Sequence, residues 1–235
     1  MADVNTSDRF AEYWSRKKDS AHTPRPKVNV FRIAASELSG FLDPSVHRKI
    51  LEIGCGAGEV FEHLNIDRTR YLGIDFSRTV LAEFGKRHPD VRLALGELST
   101  YRSPEQFDFI IVNNVIQYCS PADTLRALTN LKAMLSPDGF MFLGNIPDQR
   151  FRFAYETGVF SQDPSWGVLP LLQGLKGVLK ILAGRKTGVG FWYRRRDVRS
   201  WCKNLGLDTQ FFGSLLYPYR FSCLAFHAAN TPSET

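Results

Sequence analysis

The chain has 235 residues, of which 43% are hydrophobic and 23% are charged, and these proportions are ordinary for a globular protein. They exclude a largely disordered chain and a collagen-like or coiled-coil rod. The formal net charge of +6 is mild and spread along the sequence, so it selects no class of partner by itself. Because no RNA-binding motif accompanies that charge, we expect no nucleic-acid ligand.

The cysteine and histidine positions indicate neither a disulfide framework nor a metal site. The four cysteines are far apart without a CxxC pair, and the five histidines form no HExxH motif. The first residues lack a basic segment followed by an apolar run, and no stretch of about 18 apolar residues occurs. We therefore expect a protein of the reducing cytoplasm that binds no metal.

The first part of the chain, residues 1–47, is predicted to be helical. Phe10, Tyr13 and Trp14 share one face of a short helix, which fits either packing on a core or a lid over a site. Residues 28–41 predict a second helix. We therefore describe residues 1–47 as an N-terminal helical lid.

From residue 48 onwards, apolar strands alternate with amphipathic helices. Strands are predicted over 49–53, 70–74, 91–95, 107–112 and 140–143. Helices are predicted near 58–65, over 78–87 and over 121–135, with Ser77 and Ser120 as N-caps and a turn at 136–139. This alternation predicts an α/β core over residues 48–145, with a parallel sheet and helices on both faces. Ligands of such sheets bind outside the carboxyl ends of the strands.

After Asn145 the alternation stops. Residues 146–191 are predicted to form a helical insertion on the substrate side. Residues 192–228 are predicted to complete the core with a helix over 195–205 and antiparallel strands over 207–213 and 220–227. Residues 229–235 form a tail.

A glycine-rich turn follows the first predicted strand. Gly54, Gly56 and Gly58 let the backbone approach a ligand closely and turn without a Cβ clash. Asp75 ends the second strand about 20 residues further on, where a carboxylate can accept the hydroxyls of a ribose. The sixth position of a dinucleotide fingerprint is Glu59, whose charge would repel a pyrophosphate. The turn therefore favours a nucleoside without phosphates over NAD or FAD.

Four separated motifs carry a resemblance to a known family. They are Ile50–Gly58, Tyr71–Ser77, Phe107–Asn114 and Leu135–Phe140. In order and spacing they resemble the class I S-adenosylmethionine-dependent methyltransferases over residues 48–145. The resemblance implies a Rossmann-like seven-stranded sheet whose last strand is antiparallel, and S-adenosylmethionine as the cofactor.

The same resemblance implies a cofactor site. Its expected members are Glu52, Gly54, Cys55, Gly56, Asp75, Phe76, Glu97, Leu98 and Asn113. By the resemblance, Gly54–Gly56 hold the methionine portion and Asp75 binds the ribose. Glu97 and Leu98 flank the adenine, and Asn113 contacts the cofactor through its backbone.

The acceptor side of the site is less explicit. Asn113–Ile116 stands where methyltransferases of base amino groups have a Pro-Pro motif, and no acidic cluster or cysteine pair indicates a catechol or C5 enzyme. We therefore expect O-methylation of a small molecule. Asp148 and Tyr193 are the candidate bases, and Gln117, which stands where many relatives have a His, is expected to line the pocket.

Two further segments bear on the acceptor. Residues 190–197 and 217–221 loosely resemble methyltransferases of bacterial surface-polysaccharide sugars, and their tyrosines and arginines suit a hydroxyl-rich or phosphorylated ligand. Residues 167–186 carry apolar side chains at helical spacing, with basic side chains on the opposite face of the predicted helix. That pattern fits a helix packed on the domain or on a second copy, or a peripheral contact with an anionic membrane at its inner face.

Two other functions stay open at this point. One is a nucleotide-dependent oxidoreductase, which binding of NAD or FAD would reveal. The other is a catalytically silent protein that keeps the cofactor site, which turnover with any acceptor would dismiss.

Overall fold

A seven-stranded sheet forms the centre of the fold in a computed structural model that describes residues 29–43, 49–157 and 190–228. The strands are Ile50–Ile53 (β1), Tyr71–Asp75 (β2), Arg92–Leu95 (β3), Phe107–Asn113 (β4), Leu135–Pro147 (β5), Leu207–Gly213 (β6) and Arg220–His227 (β7). Their spatial order is β3-β2-β1-β4-β5-β7-β6. The first five strands pair in parallel, whereas β7 is antiparallel to both β5 and β6. The expected sheet, with its last strand antiparallel, is confirmed.

Helices cover both faces of this sheet. They are Val30–Ser39 (α1), Arg78–Arg87 (α2), Pro121–Met134 (α3), Arg152–Glu156 (α4) and Arg195–Asn204 (α5). On one face, Leu38 of α1 and Phe84 of α2 belong to a cluster of buried apolar side chains. On the other face, Leu131 of α3 and Cys202 of α5 belong to a second cluster. The expected helical layers are therefore confirmed.

The central strands are apolar along almost their whole length because both of their faces are covered. In β4, Phe109 and Ile111 pack on the side of α1 and α2, while Ile110 and Val112 pack on the side of α3 and α5. Continuous apolar runs of this kind are typical of parallel sheets. Because β1, β2, β4 and β5 run in one direction, their carboxyl ends meet at a single edge, which we call the carboxyl edge.

The helix expected near 58–65 is wrong. Only a short 3-10 turn, Phe61–His63, follows the glycine-rich segment. Gly58 has a φ of +86°, and a Cβ there would collide with the ring of Phe84. This left-handed residue, whose N–H donates to Cys55 O at 3.1 Å, interrupts a continuous helix.

The turn expected at 136–139 is absorbed into β5. Leu135 pairs with Phe107 and Phe140 pairs with Phe109, so the four residues between them form an irregularity inside one strand. The fifth strand therefore begins five residues earlier than the predicted start at Phe140.

Several expectations lie outside the described residues. They are the aromatic face of 10–14, the helix at 167–186 and the tail at 229–235. Within the N-terminal segment, α1 packs on the core through Ala35 and Leu38. In the part of the chain that the structure describes, no helix is long and apolar enough to cross a membrane.

The two serine N-caps offer a matched test of this fold. Ser120 Oγ accepts from the Asp123 N–H at 3.1 Å, whereas Ser77 Oγ is buried without a hydrogen bond. We expect Ser120→Ala to lower the free energy of unfolding by about 1 kcal/mol. Ser77→Ala should be close to neutral because it removes an unpaired hydroxyl. Urea unfolding of both variants checks this, and equal losses would contradict the capping account.

Candidate functional site

The glycine-rich turn lies at the carboxyl edge, between β1 and β2. The N–H groups of Gly54 and Cys55 both donate to Ile74 O, at 2.7 and 3.1 Å. Gly54 has a φ of +82°, and a Cβ there would collide with Val115, which follows β4. Glycine is therefore required both by the backbone conformation and by the close approach of a neighbouring strand end.

Asp75 holds the turn in place from the end of β2. Its Oδ2 accepts from the Gly56 N–H at 3.0 Å, and its Oδ1 accepts from the Ser77 N–H at 2.9 Å. Burial raises the pKa of Asp75, while backbone hydrogen bonds from Ser77, Gly56 and Phe76 act in the opposite direction. The residue is 7% exposed. Three backbone donors leave the carboxylate about one lone-pair site for a ligand hydroxyl.

The end of β3 is tied to the same region. The Gly96 N–H donates to Asp75 O at 3.0 Å, so the residues that follow lie beside the end of β2. Glu97 is exposed, and its backbone oxygen accepts from the Tyr101 N–H at 2.8 Å. Leu98 is buried in the apolar cluster on the side of α3 and α5. Their contact with an adenine ring stays a prediction.

Glu52 lies beneath the turn. It is 3% exposed, and its Oε2 accepts from the Tyr71 hydroxyl at 2.6 Å. Burial raises its pKa to about 7, against the hydrogen bond from Tyr71 and together with the charges of Glu59 and Asp75. Burial, with the charges of Glu52 and Asp75, also raises the pKa of the Cys55 thiol. The geometry therefore favours a role for Glu52 in supporting the glycine-rich turn. Its direct contact with a cofactor stays a prediction.

One asparagine follows β4 and another lies at the irregularity near the end of β5. Asn114 and Asn145 have φ values of +59° and +58°, a left-handed conformation that asparagine tolerates better than most residues. The Asn114 N–H donates to Gly144 O at 3.1 Å. Asn145 Nδ2 donates to Asn113 Oδ1 at 2.8 Å, so the Asn113 side chain is engaged, and a contact of its backbone with the cofactor stays a prediction.

Arg220 forms hydrogen bonds to both left-handed asparagines, Asn114 and Asn145. It begins β7 and pairs with Pro147 of β5, which places it at the carboxyl edge. Its Nη1 donates to Asn114 Oδ1 at 3.1 Å and to Asn145 O at 2.9 Å. The residue is only 8% exposed.

Gln117 carries an unpaired acceptor in the same region. Its Nε2 donates to Asn114 O at 3.2 Å, and its backbone oxygen accepts from the Phe191 N–H at 2.7 Å. Its Oε1 is buried and has no hydrogen-bond partner. A buried acceptor without a donor is costly in a folded protein, so this oxygen has capacity for a donor from outside the protein, water or ligand.

Asp148 does not suit the expected role of a base. The residue is fully buried, and its oxygens accept from Arg150 at 2.6 Å and from Arg195 at 3.2 Å. Burial alone would raise its pKa, but the hydrogen bonds and charge of Arg150 and the charge of Arg195 outweigh it and lower the pKa. A carboxylate neutralised by two guanidinium groups is a weak proton acceptor.

Tyr193 is also held in the core instead of at an open surface. It is 2% exposed, and its hydroxyl donates to Cys119 O at 2.5 Å and lies 2.9 Å from Thr124 Oγ1. Burial raises its pKa well above the usual value for tyrosine. This environment argues against the expected role as a base and favours one in packing β5 against α3.

The sequence analysis did not assign Asn114 and Val115 to the site, and it named the arginine of 217–221 only as suited to a hydroxyl-rich or phosphorylated ligand. The signal available for Asn114 was its place directly after the apolar strand β4. No local signal gave the contacts of Arg220 with Asn114 and Asn145, because these partners lie far away in the chain. Among residues 29–43, 49–157 and 190–228, no group of three or more His, Cys, Asp or Glu side chains could hold a metal ion.

Comparison with known proteins points to one class of enzyme. Residues 51–141 match a family described as a methyltransferase domain. A ubiquinone biosynthesis O-methyltransferase of Leptothrix cholodnii is 24% identical over 220 residues, which cover 88% of this chain and 84% of that protein.

Solved structures share the fold over almost the whole chain. An S-adenosylmethionine-dependent methyltransferase from Clostridium acetobutylicum aligns with a TM-score of 0.62 at 14% identity, covering 95% of this chain and 99% of that one. The amino pentose methyltransferase CalS10 of Micromonospora echinaspora aligns with a TM-score of 0.59 at 14% identity, covering 93% and 95%.

The raised pKa of Glu52 predicts a pH dependence of stability. The folded protein keeps this proton up to about pH 7, whereas the unfolded chain releases it near 4.5. Between these values the folded state binds more protons, so this group's contribution to stability is present below pH 4.5 and is lost by pH 7. The loss amounts to about 3 kcal/mol.

Glu52→Gln should remove this loss, because the amide oxygen still accepts from Tyr71 but does not ionise. We expect the variant to gain about 3 kcal/mol on the wild type between about pH 5 and pH 8 in urea unfolding. A difference between the two proteins that stays constant with pH would contradict the assignment.

Proposed function

We propose that the chain is a class I S-adenosylmethionine-dependent methyltransferase and that it methylates a hydroxyl oxygen of a small-molecule acceptor. The observation that carries the proposal is the buried, unpaired Oε1 of Gln117 at the carboxyl edge. A hydroxyl group is a donor that this oxygen can accept, and the same hydroxyl keeps its own lone pairs for attack on a methyl group.

The residues at the carboxyl edge fit S-adenosylmethionine. Gly54 and Gly56 have φ values of +82° and +58°, which present their backbone to a ligand without a Cβ. Asp75 accepts three backbone hydrogen bonds and keeps about one lone-pair site for a ribose hydroxyl. The carboxyl groups of Glu59 and Asp75 both act on Glu52 beneath the turn, so the region carries negative charge, which suits a positively charged sulfonium.

The cofactor, when bound, supplies a methyl group on a sulfur that leaves with the electron pair of the broken carbon–sulfur bond. An oxygen–carbon bond to the acceptor forms in its place, and the acceptor proton passes to solvent. In this proposal Gln117 holds the hydroxyl in line through Oε1 and removes no proton itself. Its Nε2 bond to Asn114 O fixes the orientation of the amide.

The relatives support an oxygen acceptor. The match to a ubiquinone biosynthesis O-methyltransferase extends over 88% of this chain, well beyond the part that holds the glycine-rich turn. The likeness to an amino pentose methyltransferase makes a sugar the second acceptor to consider. We propose a small hydroxylated molecule, of which aromatic and sugar alcohols are the two forms to test.

Location in the cell belongs to the proposal as well. We expect a cytoplasmic protein, in keeping with four buried free thiols. A peripheral membrane contact would require residues 167–186, which lie outside the described residues, and liposome binding that survives their deletion would exclude it.

Replacement of Asp75 tests the cofactor site. Asp75→Ala removes the proposed ribose acceptor and the bonds from Gly56 and Ser77, so we expect S-adenosylhomocysteine to bind about 1–3 kcal/mol more weakly by calorimetry. Asp90→Ala, which removes an exposed partner of Arg68, is the control and should leave the affinity unchanged. Equal affinities of wild type and Asp75→Ala would remove Asp75 from the site.

Replacement of Gln117 tests the acceptor side. Gln117→Met keeps the length of the side chain and removes the acceptor oxygen. We expect kcat/KM for a hydroxylated acceptor to fall about 10-fold to 100-fold, while the affinity for S-adenosylhomocysteine stays within about twofold. An unchanged kcat/KM, or a loss confined to cofactor binding, would contradict the role of Gln117.

A further inference from the structure

Arg220 is a buried cation with a free edge. The residue is 8% exposed, and its two hydrogen bonds to protein atoms both come from Nη1. Nε is buried without a partner, and Nη2 donates no hydrogen bond to any described residue. Among the described residues, no carboxylate forms an ion pair with Arg220. The Nε and Nη2 atoms form the side of the guanidinium that binds a carboxylate through two parallel hydrogen bonds.

Glu37 is the nearest acid in the hydrogen-bond network, and it does not contact Arg220. Glu37 Oε1 accepts from the Ser222 hydroxyl at 2.7 Å, and Ser222 Oγ accepts from the Asn145 N–H at 3.3 Å. Asn145 and Ser222 therefore stand between Glu37 and Arg220. Burial raises the pKa of Glu37 despite its hydrogen bond to Ser222, which further weakens it as a partner at a distance.

A cation without a paired anion is expensive to bury. An ion removed from water costs several kcal/mol, even where the protein and remaining water relax around it. The contacts to Asn114 and Asn145 offset part of this cost, and they use one nitrogen only. The hydrogen bonds to Asn114 and Asn145 therefore explain only the Nη1 side of the guanidinium. They leave its Nε and Nη2 side unexplained.

Half-buried aromatic rings surround the same group. The Arg220 guanidinium lies over the rings of Tyr217 and Tyr219, at 4.7 and 5.5 Å from their centroids. Tyr155 lies 4.7 Å from Tyr219, and Trp192 lies 5.4 Å from Tyr155, measured between ring centroids. These four rings form an aromatic patch that begins at the face of the guanidinium, suited to the flat carbon skeleton of a small ligand.

The patch also lies next to the proposed acceptor position. Asn114 receives a hydrogen bond from Arg220 on its side chain and one from Gln117 on its backbone oxygen. An unpaired donor edge and an unpaired acceptor oxygen thus flank one residue. A single small molecule with an anionic end and a hydroxyl end would satisfy both.

We propose that Arg220 binds a carboxylate of the methyl acceptor and so makes the enzyme selective for hydroxylated acids. This inference rests on the proposed function and narrows its acceptor class. The carboxylate lies against Nε and Nη2, the carbon skeleton packs on the aromatic patch, and the hydroxyl reaches Gln117. The acid is an aromatic hydroxy acid or a sugar acid, which share the anionic group that Arg220 recognises.

The test compares acids with their amides, which have the same shape and no charge. The probes are 3,4-dihydroxybenzoate with 3,4-dihydroxybenzamide, and glucuronate with glucuronamide. Each is titrated by calorimetry into the wild-type protein saturated with S-adenosylhomocysteine. We expect the acid of one pair to bind about 10-fold to 100-fold more tightly than its amide, and the pair that shows this preference identifies the source of the carboxylate.

Variants then assign the preference to one residue. Arg220→Met should reduce the ratio of acid to amide affinity to below about threefold. Arg199→Met is the matched control, because Arg199 also stacks on an aromatic ring, that of Phe211 at 5.0 Å, but lies exposed on α5. The control should keep the wild-type ratio.

The outcomes separate this inference from the proposed function. Equal affinities within both pairs, binding of neither acid at roughly 10 mM, or a preference that survives Arg220→Met would each overturn the carboxylate site. The wild-type ratio decides the matter even if Arg220→Met fails to fold. A wild-type protein that does not bind S-adenosylhomocysteine would overturn the proposed function itself.

Discussion

The carboxylate of Asp75 is the contact on which the geometry of the carboxyl edge depends. It accepts backbone N–H groups from Gly56 on one side and from Ser77 on the other, at 3.0 and 2.9 Å. One side chain thereby joins the glycine-rich turn after β1 to the start of α2. A carboxylate that accepts from backbone donors keeps lone pairs for further donors, so the same atoms that shape the turn can receive a ligand.

The side of the carboxyl edge formed by β4 and β5 depends on a different set of hydrogen bonds. Asn114 follows β4 and Asn145 lies two residues before the end of β5, both in left-handed conformations, and Arg220 from the antiparallel last strand bonds to both. The antiparallel direction of β7 matters here, because it brings the first residue of that strand to the carboxyl ends of its neighbours. In the proposed function, cofactor and acceptor are therefore held by different strands that meet at one edge.

Local patterns predicted the parts of the fold that local physics decides. The apolar runs of β1, β2 and β4 and the cap and proline that begin α3 are set by neighbouring residues, and the structure has them. The helix predicted near 58–65 is reduced to one turn, because Gly58 is left-handed and Leu64 is already extended, and the ring of Phe84 lies where a Cβ at Gly58 would be. That contact is tertiary, so no window of sequence contains it.

The surroundings of the two candidate bases could be predicted only in part. Asp148, just past β5, pairs with the neighbouring Arg150 and with the distant Arg195, and the Tyr193 hydroxyl meets Thr124 of α3. Arg220 lies 106 residues from Asn114, and only the pairing of β7 with β5 brings it to the edge. Contacts between residues that are distant in the sequence set much of the burial and charge around these side chains. They are visible only in the three-dimensional structure.

A crystal structure of the complex with S-adenosylhomocysteine tests the account most directly. We predict that the ribose hydroxyls donate to Asp75 and that the sulfur points toward Gln117, with open space between the sulfur and the Arg220 edge. A nucleoside bound away from the Gly54–Gly58 turn, or one that leaves Asp75 without a ligand contact, would contradict it.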